Sequence, residues 1–434
     1  MRIPAVCLSV ILLAPAAASA DAVTMWNANA AKAALAACIA PGDDPLHEGR
    51  MYAMMHIAIH DALNAIDRRS RPYAYDAHAV PGISSDAAVA SAARHVMVPV
   101  IQQIPFPAPC LDAGVASVEA DYTAALAAIP DGPAKTQGIL LGRAAAAAIL
   151  KLRAGDGSDT PLQVFDYPQG TEPGEWRFTP GFPFAFAPGW GNVTPFALTH
   201  SAQFRPRPPY DTSSKKYAAD FNEIKVLGGD DITTASTRTA DQTELGLFWR
   251  ESSPLQWNRI ARTVSASEGL DLWENARLFG LLNIAMADGY IGSWEAKYHY
   301  NYWRPVTAIQ TADTDGNPLT EADPTWTPLQ LTYPIPDYDS GHATEGGAGA
   351  EALKQFFGRD DIAFSVCSFT LPGSSCNDAT PVFRSFSSFT EAANENAFSR
   401  IAIGIHFRLA VEEGTEHGRK VARLAANRVL KPVR

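Results

Sequence analysis

Two cations lie among aromatic residues in the stretch Trp294-Glu295-Ala296-Lys297-Tyr298-His299-Tyr300-Asn301-Tyr302-Trp303-Arg304-Pro305. Lys297 and Arg304 are seven residues apart, close to two turns of an α-helix, so the spacing predicts that both lie on one helical face. The aromatic residues between them are expected to pack away from water. Two cations in an apolar setting need an anion. Either carboxylates from elsewhere in the fold supply it, or a tetrahedral oxyanion binds there.

Helical patterns continue on both sides of this stretch. Apolar residues recur at helical spacing or in alanine-rich runs that proline and glycine interrupt, and the sequence has no alternating strand pattern of useful length. The chain is therefore predicted to be all-α. The predicted helices cover residues 45–66, 85–103, 111–129, 134–153, 239–250, 269–290, 291–304, 340–357 and 390–429, the last interrupted near Ser399.

The order of these patterns divides the chain after residue 20 into three predicted parts. Residues 21–153 are expected to form an N-terminal helical bundle, after an irregular lead-in at 21–44. Residues 154–212 are rich in Gly, Pro and aromatic residues, which predicts a long irregular segment that packs as a cover rather than a free linker. Residues 213–434 are predicted to form a C-terminal helical bundle that carries the anion site.

The N-terminal residues 1–20 are predicted to be a signal peptide. Arg2 precedes an apolar run, and Ala18-Ser19-Ala20 matches a small-residue cleavage site. The apolar run is shorter than the roughly 20 residues that a membrane span needs, and no later stretch is apolar enough. We therefore expect an exported protein, periplasmic or extracellular, with no membrane span after cleavage of the signal peptide.

Four cysteines follow the predicted signal peptide. An even number in an exported chain favours two disulfides. Cys367 and Cys376 flank a turn-rich loop and are predicted to pair, and Cys38 with Cys110 then follows by elimination. The sequence has no CxxC motif or Cys/His cluster that would suggest zinc.

Two further segments carry residues suited to an anion site. Ser340-Gly341-His342 opens a predicted helix, so free backbone N–H groups and the positive end of the helix dipole would face a bound anion. Gly341 would let the backbone approach a ligand closely, and His342 could exchange protons with it. Arg400 and His406 are six residues apart, which is not one face of a regular helix, so a distorted turn is expected between them.

Taken together, the three segments supply an ammonium, two guanidinium groups, a helix N-terminus and two histidines. This set suits a phosphate-like tetrahedral oxyanion, because planar guanidinium groups and backbone N–H groups can surround its oxygens. The whole chain is acidic, with a net charge of -11 and a pI of about 5.4. That balance argues against nucleic acid or an anionic membrane surface as a partner, and makes the site a local basic pocket.

The motifs Lys-x6-Arg-Pro at 297–305, Ser-Gly-His at 340–342 and Ser-Arg-x5-His at 399–406, in this order, resemble one known superfamily. It comprises the vanadium-dependent haloperoxidases and the type 2 phosphatidic acid phosphatases, including the bacterial class A acid phosphatases. The upstream region around 50–56 resembles the longer, exported, haloperoxidase-like bacterial members. The resemblance implies an all-helical fold of two four-helix bundles, with the site in the second.

The resemblance also implies roles for the motif residues. His406 would be the axial ligand of vanadium, or the nucleophile that forms a phosphohistidine in a phosphatase. His342 would be the acid/base, and Lys297 would polarise hydrogen peroxide. Trp294 matches a tryptophan position beside the halide site of chloroperoxidases, with core packing as an equal alternative. The residues that would bind the oxygens of vanadate or phosphate are Lys297, Arg304, Ser340, Gly341 and Arg400.

Two positions depart from the superfamily pattern. Asp339 stands where the phosphatases have proline before Ser-Gly-His, and it adds negative charge beside the anion site. Ala410 stands where an aspartate usually orients the last histidine, and this loss weakens the phosphatase interpretation. The carboxylates considered as substitutes for that aspartate are Glu251, Asp288, Glu412 and Glu413.

The leading hypothesis is a vanadate-dependent haloperoxidase that oxidises halide with hydrogen peroxide to hypohalous acid, with a small organic acceptor. Bound vanadate would act as a Lewis acid, so no redox cofactor is implied. The alternatives are an acid phosphatase that works through a phosphohistidine without metal, and an inactive oxyanion-binding relative. Chain length favours the first hypothesis, because single-bundle phosphatases are much shorter.

Overall fold

The structure is a computed structural model that describes residues 21–433, so the predicted signal peptide at 1–20 lies outside the described residues. The described chain is all-α, as predicted, with thirteen α-helices and two small sheets. The helices are α1 (Ala22–Ala36), α2 (Pro45–Ile66), α3 (Ser85–Gln102), α4 (Ala108–Ala127), α5 (Pro133–Leu152), α6 (Lys215–Leu227), α7 (Ala240–Phe248), α8 (Ser253–Glu268), α9 (Leu272–Tyr300), α10 (Pro305–Gln310), α11 (Gly341–Phe357), α12 (Phe389–Ala402) and α13 (Arg408–Arg428).

The strands are short and antiparallel. In one sheet β1 (Gln163–Val164) pairs with β2 (Ala185–Phe186) inside the covering segment. In the other, β3 (Phe364–Val366) pairs with β4 (Arg384–Phe386). Short 3-10 helices lie at Trp190–Asn192, Ser201–Phe204 and Ala312–Thr314.

The first group of helices has five members rather than four, because residues 22–36 form α1 and not an irregular lead-in. Asp21 caps this helix by accepting a hydrogen bond from Thr24 N at 2.8 Å. Alanine dominates the sequence that follows, and it has the highest helix propensity of any residue type. Its small side chains let α1 pack closely against α3 and α4, and Ala33 and Ala34 are fully buried.

The second group is a four-helix arrangement of α9, α11, α12 and α13. Two of these helices, α11 and α13, touch backbone to backbone. A Cβ added at Gly418 would lie 1.8 Å from Thr344 O, and one at Gly347 would lie 2.2 Å from Thr415 O. This close contact fixes the start of α11 beside the start of α13, where two of the predicted site segments lie.

The segment 154–212 is largely irregular, and it is packed against the helices. The carboxylate of Asp288 in α9 accepts hydrogen bonds from the amides of residues 196–198 at 2.6 to 2.8 Å. Trp176 and Trp190 within the segment are buried. One hydrophobic cluster also continues through both helix groups, so the domain boundaries at 153 and 212 stay a prediction.

Both predicted disulfides are present, Cys38–Cys110 and Cys367–Cys376. The first ties the end of α1 to the start of α4, and the second closes the loop that follows β3. Among residues 21–433, the helices are all too short or too polar to cross a bilayer.

Candidate active site

Lys297 and Arg304 do not share a helical face. Helix α9 ends at Tyr300, and the φ of 47° at Asn301 turns the chain out of the helix. Lys297 therefore lies in the last turn of α9, and Arg304 lies beyond it, before α10. Both side chains are nevertheless fully buried. Lys297 Nζ donates to the carbonyls of Pro336 at 3.0 Å and Asp337 at 3.1 Å, which leaves one of its three donors for a ligand.

Arg304 joins two loops of the site. Its Nε donates to Ile335 O at 2.6 Å, and its Nη1 donates to Ile405 O at 2.7 Å. Nη1 also lies 3.0 Å from Nε2 of His406. Its remaining nitrogen, Nη2, is buried without a hydrogen-bond partner among the described residues.

Arg400 and His406 reach the site because the predicted long helix is broken between them. Helix α12 ends at Ala402, Gly404 adopts a φ of 83°, and α13 begins at Arg408. The sequence places the interruption near Ser399, a few residues early. Arg400 donates through Nε to Ser399 Oγ at 2.9 Å and through Nη2 to Trp249 O at 2.8 Å, while its buried Nη1 has no partner within the described range.

The Ser340-Gly341-His342 segment forms the start of α11, as expected. No side chain of the described chain caps this helix, and the Ser340 hydroxyl is buried and unpaired within residues 21–433. A Cβ at Gly341 would lie 3.3 Å from Cζ3 of Trp294, so glycine permits close packing here. His342 Nε2 lies 3.2 Å from Glu251 O, which assigns the ring proton to Nε2 because a carbonyl can only accept.

The carboxylate that orients His406 comes from Asp337, a residue that the sequence analysis missed. His406 Nδ1 lies 2.9 Å from Asp337 Oδ1. Since Arg304 Nη1 donates to Nε2, a neutral ring carries its proton on Nδ1 and donates it to Asp337. Nε2 then presents a lone pair. Burial raises the pKa of Asp337 to about 7, while the charges of Arg304 and Lys297 oppose that rise.

The four carboxylates predicted as substitutes have other partners, and that prediction is wrong. Asp288 holds the covering segment, and Glu251 pairs with Arg259. On α13, Glu413 pairs with Arg207 at 2.7 Å and Glu412 lies 3.8 Å from Arg408. The signal for Asp337 was the first aspartate in Asp337-Tyr338-Asp339, three residues before Ser340.

Asp339 is turned toward a second buried histidine. Its Oδ2 lies 2.7 Å from His417 Nδ1, and its Oδ1 accepts a hydrogen bond from Ser293 Oγ at 2.6 Å. Burial would raise the pKa of Asp339, but His417, Lys297 and Ser293 together lower it below the ordinary range. The carboxylate therefore has its own partners, and its charge also favours the protonated form of Lys297.

Several positive groups share a small buried volume. Burial, and after it the charge of Arg304, lowers the pKa of Lys297 to about 7. Burial lowers the pKa of Arg400 to about 9 and that of Arg304 to about 10. Burial, followed by the charge of Arg304, lowers the pKa of His406 well below its ordinary value, so its ring is neutral. A bound anion would relieve this repulsion.

The donor set fits a tetrahedral oxyanion. Within residues 21–433, Arg304 Nη2, Arg400 Nη1 and Ser340 Oγ are buried donors without partners, and the N-terminus of α11 is uncapped. Buried donors are almost always satisfied in folded proteins, so three of them together indicate an absent ligand. The neutral imidazole of His406 adds a nitrogen lone pair of the kind that binds metals. These residues therefore suit vanadate as well as phosphate.

A cavity of about 710 Å³ opens onto Arg304 and His406 of this site. Arg304, Gly341, His342, His406 and Trp294 lie on its inner wall. The covering segment and the loop before α4 contribute apolar walls. Their lining residues include Leu162, Phe182, Phe184, Phe186, Pro105 and Phe106.

The chain is similar to known vanadium-dependent proteins. Residues 277–434 match the family described as "VCPO second helical-bundle domain". Over 289 residues the chain is 27% identical to the vanadium chloroperoxidase of Curvularia inaequalis, an alignment that covers 53% of this chain and 47% of that relative. The chain therefore spans about half the length of this curated relative.

Solved structures show the same fold over nearly the whole chain. The first bacterial vanadium-dependent iodoperoxidase superposes with a TM-score of 0.74 at 22% identity, covering 94% of this chain and 97% of that one. A holo-type bacterial vanadium-dependent chloroperoxidase gives a TM-score of 0.71 at 16% identity, with 92% and 95% covered. The resemblance to the haloperoxidase branch is confirmed.

Proposed function

We propose that this chain is a vanadate-dependent haloperoxidase, which oxidises a halide with hydrogen peroxide to hypohalous acid. The observation that carries the proposal is the group of buried donors of Arg304, Arg400 and Ser340, unpaired within residues 21–433, around the neutral His406. The similarity to vanadium haloperoxidases supports vanadate as the oxyanion, and it does not favour a phosphatase.

His406 would ligate vanadium through Nε2 in place of the hydrogen bond from Arg304 Nη1, with Asp337 holding Nδ1–H and so fixing the ring and its tautomer. When bound, vanadate would supply Lewis-acid activation of the peroxide. The buried guanidinium groups would neutralise the anion without needing to reorganise. The residues that would hold its oxygens are Lys297, Arg304, Ser340, Gly341 and Arg400.

His342 would transfer protons, and Lys297 would polarise the substrate oxygens. Burial, followed by the charge of Arg400, lowers the pKa of His342 well below its ordinary value. With Nε2–H given to Glu251 O, its Nδ1 can accept a proton from hydrogen peroxide as a general base. Lys297, held by two carbonyls, would direct its remaining N–H toward the substrate oxygens.

Trp294 is the candidate halide contact. It lies on the cavity wall, is 3% exposed, and its Nε1 has no partner in the described chain. An indole N–H is a donor only, so it can serve an anion. Lys297 Nζ lies 5.9 Å from the Trp294 ring centroid, which places a cation near the same wall. The apolar remainder of the cavity would accept the small organic acceptor.

We also propose that the protein is exported. The pattern of residues 1–20 supports this, and so do the two disulfides, since disulfides persist mainly in oxidising compartments.

The test compares purified apo-protein with and without added orthovanadate. One assay follows halogenation of a diketone with hydrogen peroxide and each halide, and the other follows hydrolysis of nitrophenyl phosphate. We expect halogenation that needs vanadate and little hydrolysis. If vanadate only inhibits hydrolysis and never confers halogenation, the protein is a phosphatase. If neither activity appears while vanadate binds, the chain is an inactive oxyanion-binding relative.

A further inference from the structure

A second group of buried polar residues lies behind the cavity wall, outside the oxyanion site. Glu48 of α2 and Glu345 of α11 are both 0% exposed. All four carboxylate oxygens lack a hydrogen-bond partner within residues 21–433. Two buried acids without partners are unusual, because an ionised carboxylate without a counter-charge is strongly disfavoured in the interior.

Tyr290 of α9 lies near both acids. A Cβ added at Gly49, next to Glu48, would lie 3.4 Å from Cδ2 of the Tyr290 ring. A Cβ added at Gly289, next to Tyr290, would lie 2.5 Å from Glu345 Oε1. Burial is the main cause that raises the pKa of the Tyr290 hydroxyl, and the charges of Glu345 and Glu48 raise it further. Both carboxylates therefore lie near this hydroxyl. That hydroxyl is also buried and unpaired within the part of the chain that the structure describes.

The charged groups near the two acids have partners of their own. Asp44 pairs with His47 at 2.6 Å, and Glu251 pairs with Arg259. Arg262, whose charge acts on the neighbouring Tyr52, donates to Asn27 Oδ1. None of these cations is within ion-pair distance of Glu48 or Glu345 in the described range, so the two acids have no counter-charge.

Both acids therefore hold a proton at neutral pH. Burial raises the pKa of Glu48 to about 8 against the opposing effect of the nearby Ser252 hydroxyl, with smaller contributions from the charges of Glu251 and Asp44. Burial alone raises the pKa of Glu345 well above its ordinary value. The two side chains are neutral acids close to a substrate cavity.

Two residues with hydroxyl groups lie on the cavity wall beside these acids. Tyr290 and Ser252 both line it, and the Ser252 hydroxyl lies beside Glu48. A hydroxyl can donate and accept at once, so it can pass a proton on. Buried polar groups that lie close together without partners commonly bind internal water. Such water would link the two acids to the hydroxyl groups of Tyr290 and Ser252.

The proposed reaction consumes a proton. Hydrogen peroxide, halide and one proton give hypohalous acid and water. The O–O bond breaks, one oxygen bonds to the halide, which loses two electrons, and the other oxygen takes the proton and leaves as water. We propose that Glu48 and Glu345 supply this proton through Tyr290 and Ser252, and are reprotonated from solvent between turnovers. This inference rests on the proposed function.

The test uses the vanadate-loaded full chain and the variants E48Q, E345Q and Y290F. Glutamine keeps the shape of glutamate but cannot release a carboxyl proton, and phenylalanine keeps the Tyr290 ring. We expect kcat for halogenation to fall about tenfold above pH 7, less than the roughly hundredfold or more that a positioned general acid contributes, because bulk water still supplies some protons. At pH 5, where protons from bulk water are abundant, the loss should stay below about twofold, and an added small weak acid should restore the rate at high pH. Vanadate affinity should not change.

The matched control is E351Q. Glu351 lies on the same helix as Glu345, is buried, and pairs with Arg423 at 3.0 Å. It should keep the pH profile of the wild type. Equal losses at every pH in the cluster variants, or unchanged profiles in all three, would overturn the proposal.

A second measurement separates this inference from the proposed function. Infrared spectroscopy of the apo-protein at neutral pH should show carbonyl bands of protonated carboxylic acids that disappear in E48Q and E345Q and persist in E351Q. If the wild type never halogenates, the proposed function fails while these bands still report on the cluster. Bands that are absent in the wild type would overturn the proton-supplying cluster.

Discussion

Two aspartates flank Tyr338, and each holds a histidine from the C-terminal region, but the two pairs end in different surroundings. Asp337 lies 2.9 Å from His406 Nδ1, and Asp339 lies 2.7 Å from His417 Nδ1. The other nitrogen of His406 faces Arg304 and the cavity. The other nitrogen of His417 has no partner in the described chain and packs on α9, where a Cβ at Gly292 would lie 2.9 Å away.

A carboxylate–histidine pair is therefore not by itself a functional site. What the second ring nitrogen faces decides whether the pair presents a ligand or anchors two helices. For His406 the surroundings are buried cations and a cavity, whereas for His417 they are the backbone of α9. Substitutions in the two pairs should therefore change vanadate affinity by very different amounts.

Replacing His406 with alanine should have the largest effect. It removes the only lone pair that the proposal gives to vanadium, so we expect affinity to fall by more than about 100-fold, beyond the range for loss of a ligand's supporting partner. Vanadium content after gel filtration measures this. His417→Asn is the control and should retain vanadium. Equal vanadium content in wild type and His406→Ala would show that His406 is not a ligand.

Replacing Asp337 with asparagine should have the next largest effect. The amide keeps the shape but loses the charge that supports His406, so vanadate affinity should fall by about 10- to 100-fold. Titration calorimetry with orthovanadate gives the affinity. An unchanged affinity would mean that Asp337 does not orient the ligand.

The sequence predicted the three site segments but not how they meet. Lys297 and Arg304 were expected on one helical face, yet the chain turns at Asn301, and a left-handed residue within an aromatic run gives no periodic signal. Asp337 was missed for a similar reason. It lies in a loop rich in proline and aspartate, and its bond to a residue 69 positions later depends on how α11 and α13 pack.

The fold was easier to predict where periodicity was strong. Helices such as α2 and α11 lie within a residue of their predicted bounds, because apolar spacing and a proline or glycine at the start mark them. Helix α1 was missed because its alanine-rich sequence has almost no polar face, and its burial under α3 and α4 is a tertiary effect.

The protonation of Lys297 should make vanadate binding depend on pH. Its pKa is lowered to about 7, so above that value the apo-protein holds a neutral amine, while a bound anion favours the protonated form. Vanadate binding should therefore take up close to one proton at pH 8, and affinity should fall by up to about tenfold for each pH unit above 7. Calorimetry in two buffers of different ionisation enthalpy measures the uptake.

The control for that experiment is a lysine outside the site. Lys297→Met should bind vanadate more weakly below pH 7 and show no proton uptake from this position, whereas Lys354→Met should behave as the wild type does. Proton uptake that persists in Lys297→Met would assign the titration to another group.

Replacing Asp339 with asparagine should have the smallest effect on vanadate affinity, below about threefold, although it should destabilise the fold. Loss of one partner from a buried ion pair costs about 3 kcal/mol or more, because the other charge stays buried. The pKa of Asp339 lies below its ordinary range, so this stabilisation is present above about pH 4 and is lost as the pH falls through the lower, folded-state value. Urea unfolding should show a large difference between wild type and Asp339→Asn at pH 7, and the difference should shrink as the pH falls below about 4. An affinity loss as large as that of Asp337→Asn would mean that both pairs serve the anion site, and the comparison between them would fail.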